Sequence, residues 1–179
     1  MFITLILTSC DDDDFSIIYE YTGLEAKNAH NLGERPVVTN WDTIPANTYT
    51  IQLAVFPVVV AEGDYLVTDP ERYPRNVKSI DSIAITSSSN FNVEYPAGTN
   101  LNELFIVFNE SYFCTTSVNS FNFHRRCAED YKDNPITEFI DLMLIGSPSE
   151  ENEHVFTVDF YFSDDSSFSA NTPKVVLTI

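Results

Sequence analysis

Glycine and cationic side chains are scarce in this chain, with 5 glycines and 9 lysines and arginines among 179 residues. So few glycines leave little material for a loop that cradles phosphate, and no such motif occurs. The 9 cations face 27 acids, a formal net charge of −18. Nucleic-acid binding needs clustered Lys and Arg to neutralise phosphates, so this balance argues against it. It argues equally against electrostatic attraction to an anionic membrane surface. No apolar run reaches the roughly 18–20 residues that a membrane-spanning helix needs. Apolar surface itself is plentiful, at 44% hydrophobic and 13% aromatic residues, which argues against disorder. The length suits one domain, and no internal repeat divides it.

The N-terminus carries an address. Residues 1–10 read Met-Phe-Ile-Thr-Leu-Ile-Leu-Thr-Ser-Cys, a short apolar segment ending in Leu7-Thr8-Ser9-Cys10. This resembles the bacterial lipoprotein signal, in which cleavage before the Cys leaves a thiol to carry a diacylglyceryl group. The resemblance implies a signal peptide over 1–9 and lipidation at Cys10. A buried first strand is the plainer alternative, but the acids that follow would end such a strand badly. No Lys or Arg precedes Lys27, so the positively charged start of a signal peptide is missing and the true start is expected upstream. Asp11, Asp12, Asp13 and Asp14 then form a solvated tether over 10–14. Acids directly behind the lipidated Cys resemble the surface-export signal of Bacteroidota lipoproteins. The alternative is the proteobacterial pattern of inner-membrane retention, on the periplasmic face.

The body, 15–179, reads as strands. Thr48 to Ala61 is rich in branched and aromatic residues, and Pro57 within it marks an edge, a bulge or a break. Val77 to Thr86 places Ile83 and Ile85 on one face, and Leu104 to Phe108 and Phe139 to Ile145 are short core-like runs. Glu153 to Ser163 alternates clearly, with Phe156, Val158, Phe160 and Phe162 on one face. Asp164-Asp165-Ser166-Ser167 reads as a turn, and Lys174 to Ile179 as the last strand, giving a C-terminal hairpin with a long loop. Tyr19 to Asn28 is a weaker first strand. Helix signals are confined to Asn100-Leu101-Asn102-Glu103, which resembles a capping pair, and to Arg125 to Lys132. The expectation is an all-β fold, an antiparallel β-sandwich of immunoglobulin-like type, with long loops and one or two short helical turns.

Two loops, Ala29 to Asn47 and Glu62 to Asn76, are long and polar, and loops of that length are commonly functional or disordered. In the second, Tyr65, Arg72, Tyr73 and Arg75 form a candidate contact surface. The plainer account, favoured by the acidic composition, is a loop pinned by salt bridges. Cys114 and Cys127 are an even pair once Cys10 carries lipid, and outside the cytoplasm a disulfide between them is expected. Closing the 12 intervening residues would stabilise by about 3 kcal/mol in the chain-entropy account. Two separate buried thiols are the alternative. A zinc site from Cys114, His124 and Cys127 has too few ligands, and Arg125 and Arg126 would repel the ion, so no metal and no cofactor are expected.

No Gly-x-Ser-x-Gly elbow occurs, and His30, His124 and His154 sit in unrelated contexts. His154, beside Glu153, reads as solvent-facing or as a simple hydrogen-bond donor. Glu150-Glu151-Asn152-Glu153 reads as a solvated hairpin loop, not as the paired carboxylates of a glycosidase. Asp42-Thr43-Ile44 and Asp81-Ser82-Ile83 resemble the Bacteroidota O-glycosylation acceptor, which makes Thr43 and Ser82 candidate modification sites. Strand alternation at Ser82 and a turn before Pro45 are the plainer accounts.

The segments Tyr21-Thr22-Gly23-Leu24-Glu25-Ala26-Lys27-Asn28 and Tyr95-Pro96-Ala97-Gly98-Thr99-Asn100-Leu101-Asn102-Glu103-Leu104-Phe105, with the closing strands and the Cys10 signal, resemble a domain-of-unknown-function family of Bacteroidota lipoproteins. That resemblance implies an outer-membrane, lipid-anchored location at the cell surface and carries over no catalytic residue. The expected function is a non-catalytic module that binds an extracellular or envelope ligand and meets the membrane through its lipid alone. The alternatives are a hydrolase acting on glycan or peptide, and a structural envelope component.

Overall fold

The structure, a computed structural model, describes residues 15–64, 75–76, 80–109, 114–120 and 138–179. Among these, regular structure is strand apart from three short 3-10 turns. The strands are β1 (Phe15–His30), β2 (Val37–Val38), β3 (Thr43–Pro45), β4 (Tyr49–Asp64), β5 (Arg75–Asn76), β6 (Ile80–Ser87), β7 (Phe105–Asn109), β8 (Cys114–Ser117), β9 (Glu138–Leu144), β10 (Asn152–His154), β11 (Phe156–Phe162), β12 (Ser167–Asn171) and β13 (Val175–Thr178).

They form the expected antiparallel β-sandwich. One layer is a seven-stranded sheet in the order β2-β1-β4-β9-β7-β8, with β5 joining β1. The second layer is two three-stranded sheets, β10-β13-β3 and β12-β11-β6. Pairing is antiparallel except for β3 with β13 and β5 with β1. Alternation builds the core from both layers: Tyr49, Ile51, Leu53 and Val55 from β4 meet Phe156, Val158, Phe160 and Phe162 from β11. Aromatic pairs bridge the layers, Tyr49 to Phe156 at 5.2 Å and Phe105 to Phe156 at 5.8 Å between ring centroids. Each such fully buried side chain stabilises by roughly 1.5–3 kcal/mol over exposure.

The first strand is far longer than its composition suggested, sixteen residues paired to β4 along their whole length. The ladder slips between Tyr21 and Gly23, opposite Pro57 and Phe56, so Thr22 is a bulge residue whose Oγ1 donates to the Phe56 carbonyl at 3.1 Å. Pro57 thus marks a bulge. Beyond it β9 no longer follows β4, and among the described residues β1 and β4 continue with β5.

Three expectations need correction. The loop Ala29 to Asn47 gives its first two residues to β1 and contains β2 and β3, runs of two and three residues that are too short to read locally and become strands by tertiary pairing. In Glu62 to Asn76, Glu62–Asp64 belongs to β4 and Arg75–Asn76 to β5, while 65–74 lie outside the described residues. The C-terminal hairpin has no long loop. β11 pairs first with β12, then Thr172 N–H donates to the Phe156 carbonyl at 2.8 Å while the Phe156 N–H donates to Thr172 Oγ1, and β10 continues against β13. The two long arms are interrupted at Val155 and at 172–174, which divides them between two sheets, and the turn shrinks to residues 163–166, where Asp165 adopts φ 64°. The capping pair near Asn102 does form a 3-10 turn, Asn102–Leu104.

Candidate functional site

A chain of hydrogen bonds fixes one end of the sandwich. The Phe156 N–H donates to Thr172 Oγ1 at 3.0 Å, and the Thr172 hydroxyl in turn meets the Tyr49 phenol. The Tyr49 hydroxyl donates to Asn28 Oδ1 at 2.8 Å, and Asn28 Nδ2 donates to the Pro173 carbonyl at 3.0 Å. Tyr49, Asn28 and Thr172 are all buried, so each polar group needs these partners. Burial pushes the Tyr49 phenol far up, which keeps it a neutral donor.

This network holds the segment 31–42 in place. The Asn28 carbonyl accepts the Thr39 N–H at 2.9 Å, Asn31 N–H donates to the Thr48 carbonyl at 2.7 Å, and the Asp42 carbonyl accepts the Val176 N–H at 2.7 Å. Trp41 N–H donates to Thr39 Oγ1 at 3.2 Å, and Ile44 is fully buried just beyond. Trp41 itself stays 49% exposed, stacked on His30 with ring centroids 4.6 Å apart and planes 16° from parallel. Leu32, Val37 and Val38, in the same segment, are 59%, 54% and 41% exposed. Four large apolar side chains thus stand partly in solvent on a short stretch tied down at both ends.

Sequence reasoning flagged this loop for its length and missed its residues. A signal was present: Trp41 is the only tryptophan of the chain, set in a polar stretch.

The other candidates are scattered. Cys10 and Asp11, Asp12, Asp13 and Asp14 lie outside the described residues, as do Tyr65, Arg72, Tyr73, His124 and Cys127. Arg75 lies in β5, against Ile18 of β1, and Cys114 opens β8 opposite Asn109. Thr43 is exposed on β3, at the edge of its sheet, and Ser82 is exposed on β6 with Ile83 turned inward. The Glu150-Glu151 pair is exposed, whereas Asn152 and Glu153 belong to β10, where Glu153 binds Lys174 Nζ at 2.8 Å. Among the described residues no group of three or more His, Cys, Asp or Glu side chains is placed to hold a metal ion.

His154 is not solvent-facing. It is fully buried, with Nδ1 2.8 Å from Ser87 Oγ and its ring flat against Phe156. Its position shares parity with Phe156 and Val158, so the core-facing side was its natural place. Ser87 is buried too, which shields its hydroxyl from any substrate and makes the pair a structural contact. No protein-family model, curated protein or solved structure matches the chain.

Proposed function

We propose that the chain is a lipid-anchored, outward-facing binding module, held by a lipidated Cys10 and contacting its ligand with the Trp41 surface. The observation that carries this reading is the course of β1. The strand starts at Phe15, directly behind the acidic tether, and ends at His30, under Trp41. Sixteen residues of antiparallel strand cover about 50 Å. An anchor at one end therefore leaves the apolar platform at the far end of the same strand, away from the bilayer. A multiply acylated Cys would hold such a domain firmly at the membrane.

Two features suit recognition over catalysis. The platform is already ordered by the Asn28–Tyr49–Thr172 network, so little conformational entropy is lost on binding. Trp41 also offers one large rigid ring with its other side backed by His30, the kind of residue that anchors contact surfaces.

The test uses the lone tryptophan as its own reporter. Soluble neutral oligosaccharides and peptides are titrated into the protein while Trp41 emission is followed. A ligand of this surface shifts the emission and binds Trp41→Ala at least about tenfold more weakly, a loss of about 1.4 kcal/mol. Val93→Ala, at another exposed apolar position, leaves the affinity unchanged. Equal affinity for wild type and Trp41→Ala overturns the assignment of the surface. The anchor is read separately, as palmitate label present in wild-type cells and lost in Cys10→Ala.

A further inference from the structure

The second layer of the sandwich divides into its two sheets where β10 passes into β11, and three consecutive serines stitch β6 to that junction. Ser87 Oγ lies 2.8 Å from His154 Nδ1. The Ser88 N–H donates to the Val155 carbonyl at 2.9 Å while Ser88 Oγ accepts the Val155 N–H at 2.9 Å. Ser89 Oγ donates to the Glu153 carbonyl at 2.7 Å. At the centre is the His154 ring, fully buried, stacked 5.6 Å from Phe156 and tilted 5.9 Å from Phe91. Its Nε2 is buried and has no hydrogen-bond partner.

That surrounding suits a neutral imidazole only. With one N–H, the ring pairs Nδ1 with Ser87 and leaves Nε2 alone without a partner, bare when the proton sits on Nδ1. The imidazolium carries two N–H donors, and the second would be a charged, unpartnered group in an apolar site. No counter-charge is at hand among the described residues. Glu153, next along β10, turns outward to Lys174 of the β12–β13 connection. Glu150 and Glu151, on the approach to β10, are exposed. In the segment after Phe91, Glu94 is exposed and the Tyr95 hydroxyl is bound to Glu103 at 3.2 Å. From β4, the neutral Tyr49 packs against the Phe156 ring.

We infer that His154 is an acid-released latch: proton uptake by its buried ring opens the serine-stitched joint between β6 and β10–β11 while the seven-stranded sheet stays closed. The linkage has a definite sign. Burial holds the ring's pKa below the ordinary histidine value of about 6.5. Above 6.5 neither the closed nor the open joint binds the proton, and the joint keeps its full stability. Below it the open form takes up a proton that the closed form refuses, so stability is lost as pH falls, until the pKa of the closed form is passed.

Hydrogen exchange of the full-length protein between pH 7.5 and 5, corrected for intrinsic chemical rates, tests this. The expected result is that opening at the amides of Ser88 and Val155 rises by up to about tenfold per pH unit below about 6.5. The amides of Leu53 and Leu142, in the opposite layer, keep their protection. His154→Phe retains the stacking and abolishes the dependence. Joint protection that is flat with pH in the wild type overturns the latch, as does a dependence that persists in His154→Phe. If that variant does not fold, the His154 ring resonances of the wild type decide. Proton uptake coincident with loss of protection at the joint alone supports the latch. Uptake with the joint still protected, or with both layers opening together, overturns it.

Discussion

The free side of β6 ends in the carboxamide of Asn102, which accepts the Ile85 N–H at 3.0 Å and donates to the Ile83 carbonyl at 2.7 Å. Among the described residues no strand lies on that side of β6, and a side-chain amide stands in for its backbone, with Leu101 N–H completing the seal on the Ile85 carbonyl at 2.7 Å. Edge strands left open pair with other chains, so this plug protects the molecule as well as stabilising it. Asn102 is buried, and its second amide hydrogen goes to Asn119 Oδ1 at 2.9 Å. Asn102→Asp keeps the acceptor and sets a carboxylate oxygen against the Ile83 carbonyl. We expect it to cost about 3 kcal/mol, and Asn102→Ala about 2 kcal/mol, as buried backbone groups lose their partners. Urea unfolding reads this as a lower midpoint at unchanged slope. Midpoints within error of wild type would show that water replaces the amide. The local part of this was legible, since the capping pair around Asn102 does make a turn. Its partner strand lies 17 residues upstream, and nothing in the spacing reveals that Asn102 closes an edge.

Elements whose local pattern and tertiary role agree were readable. β11 alternates over its whole length, and its Phe156, Val158, Phe160 and Phe162 are all buried. The strand β12, Ser-Phe-Ser-Ala-Asn, was not readable: only Phe168 and Ala170 carry the alternation, and its polar residues look like loop. β3 exists because β13 lies parallel beside it, a pairing no local signal announces. The exposed Trp41 stack follows from these short strands and was equally hidden, although the loop that holds it stood out by length. What joins the elements is the interruption in the C-terminal hairpin, where Pro173 has no N–H to give and Thr172 supplies the link to Phe156 and Tyr49. Thr172→Val is nearly isosteric yet strands the buried Phe156 N–H and interrupts the chain to Asn28. A loss of about 2 kcal/mol is expected, with Thr172→Ser retaining most of the stability. Thermal melts of the pair check it, and equal melting of Thr172→Val and wild type would remove the network from the account.

At the scale of the whole molecule the dominant property is charge. The tether holds four of the 27 acids, so 15–179 keeps 23 acids against all 9 cations, a net −14. Such a net charge disfavours self-association and, at long range, repels anions. On the proposed binding role it would narrow what the Trp41 surface takes, favouring neutral or cationic ligands over phosphates and other anions. The charges in the same 31–42 segment are mixed, Glu34, Arg35 and Asp42, so the long-range field should decide. Collisional quenching separates the two contributions. With each ion normalised to free N-acetyl-tryptophanamide, caesium should quench Trp41 more strongly than iodide at about 10 mM ionic strength, where the screening length is about 30 Å. At about 1 M salt that length falls to about 3 Å, and the two normalised slopes should converge. Neutral acrylamide should quench equally at both, because Trp41 is half exposed whatever the salt. Iodide outrunning caesium at low salt would mean that Arg35 sets a local positive potential at the platform, and the ligand class would then shift to anions.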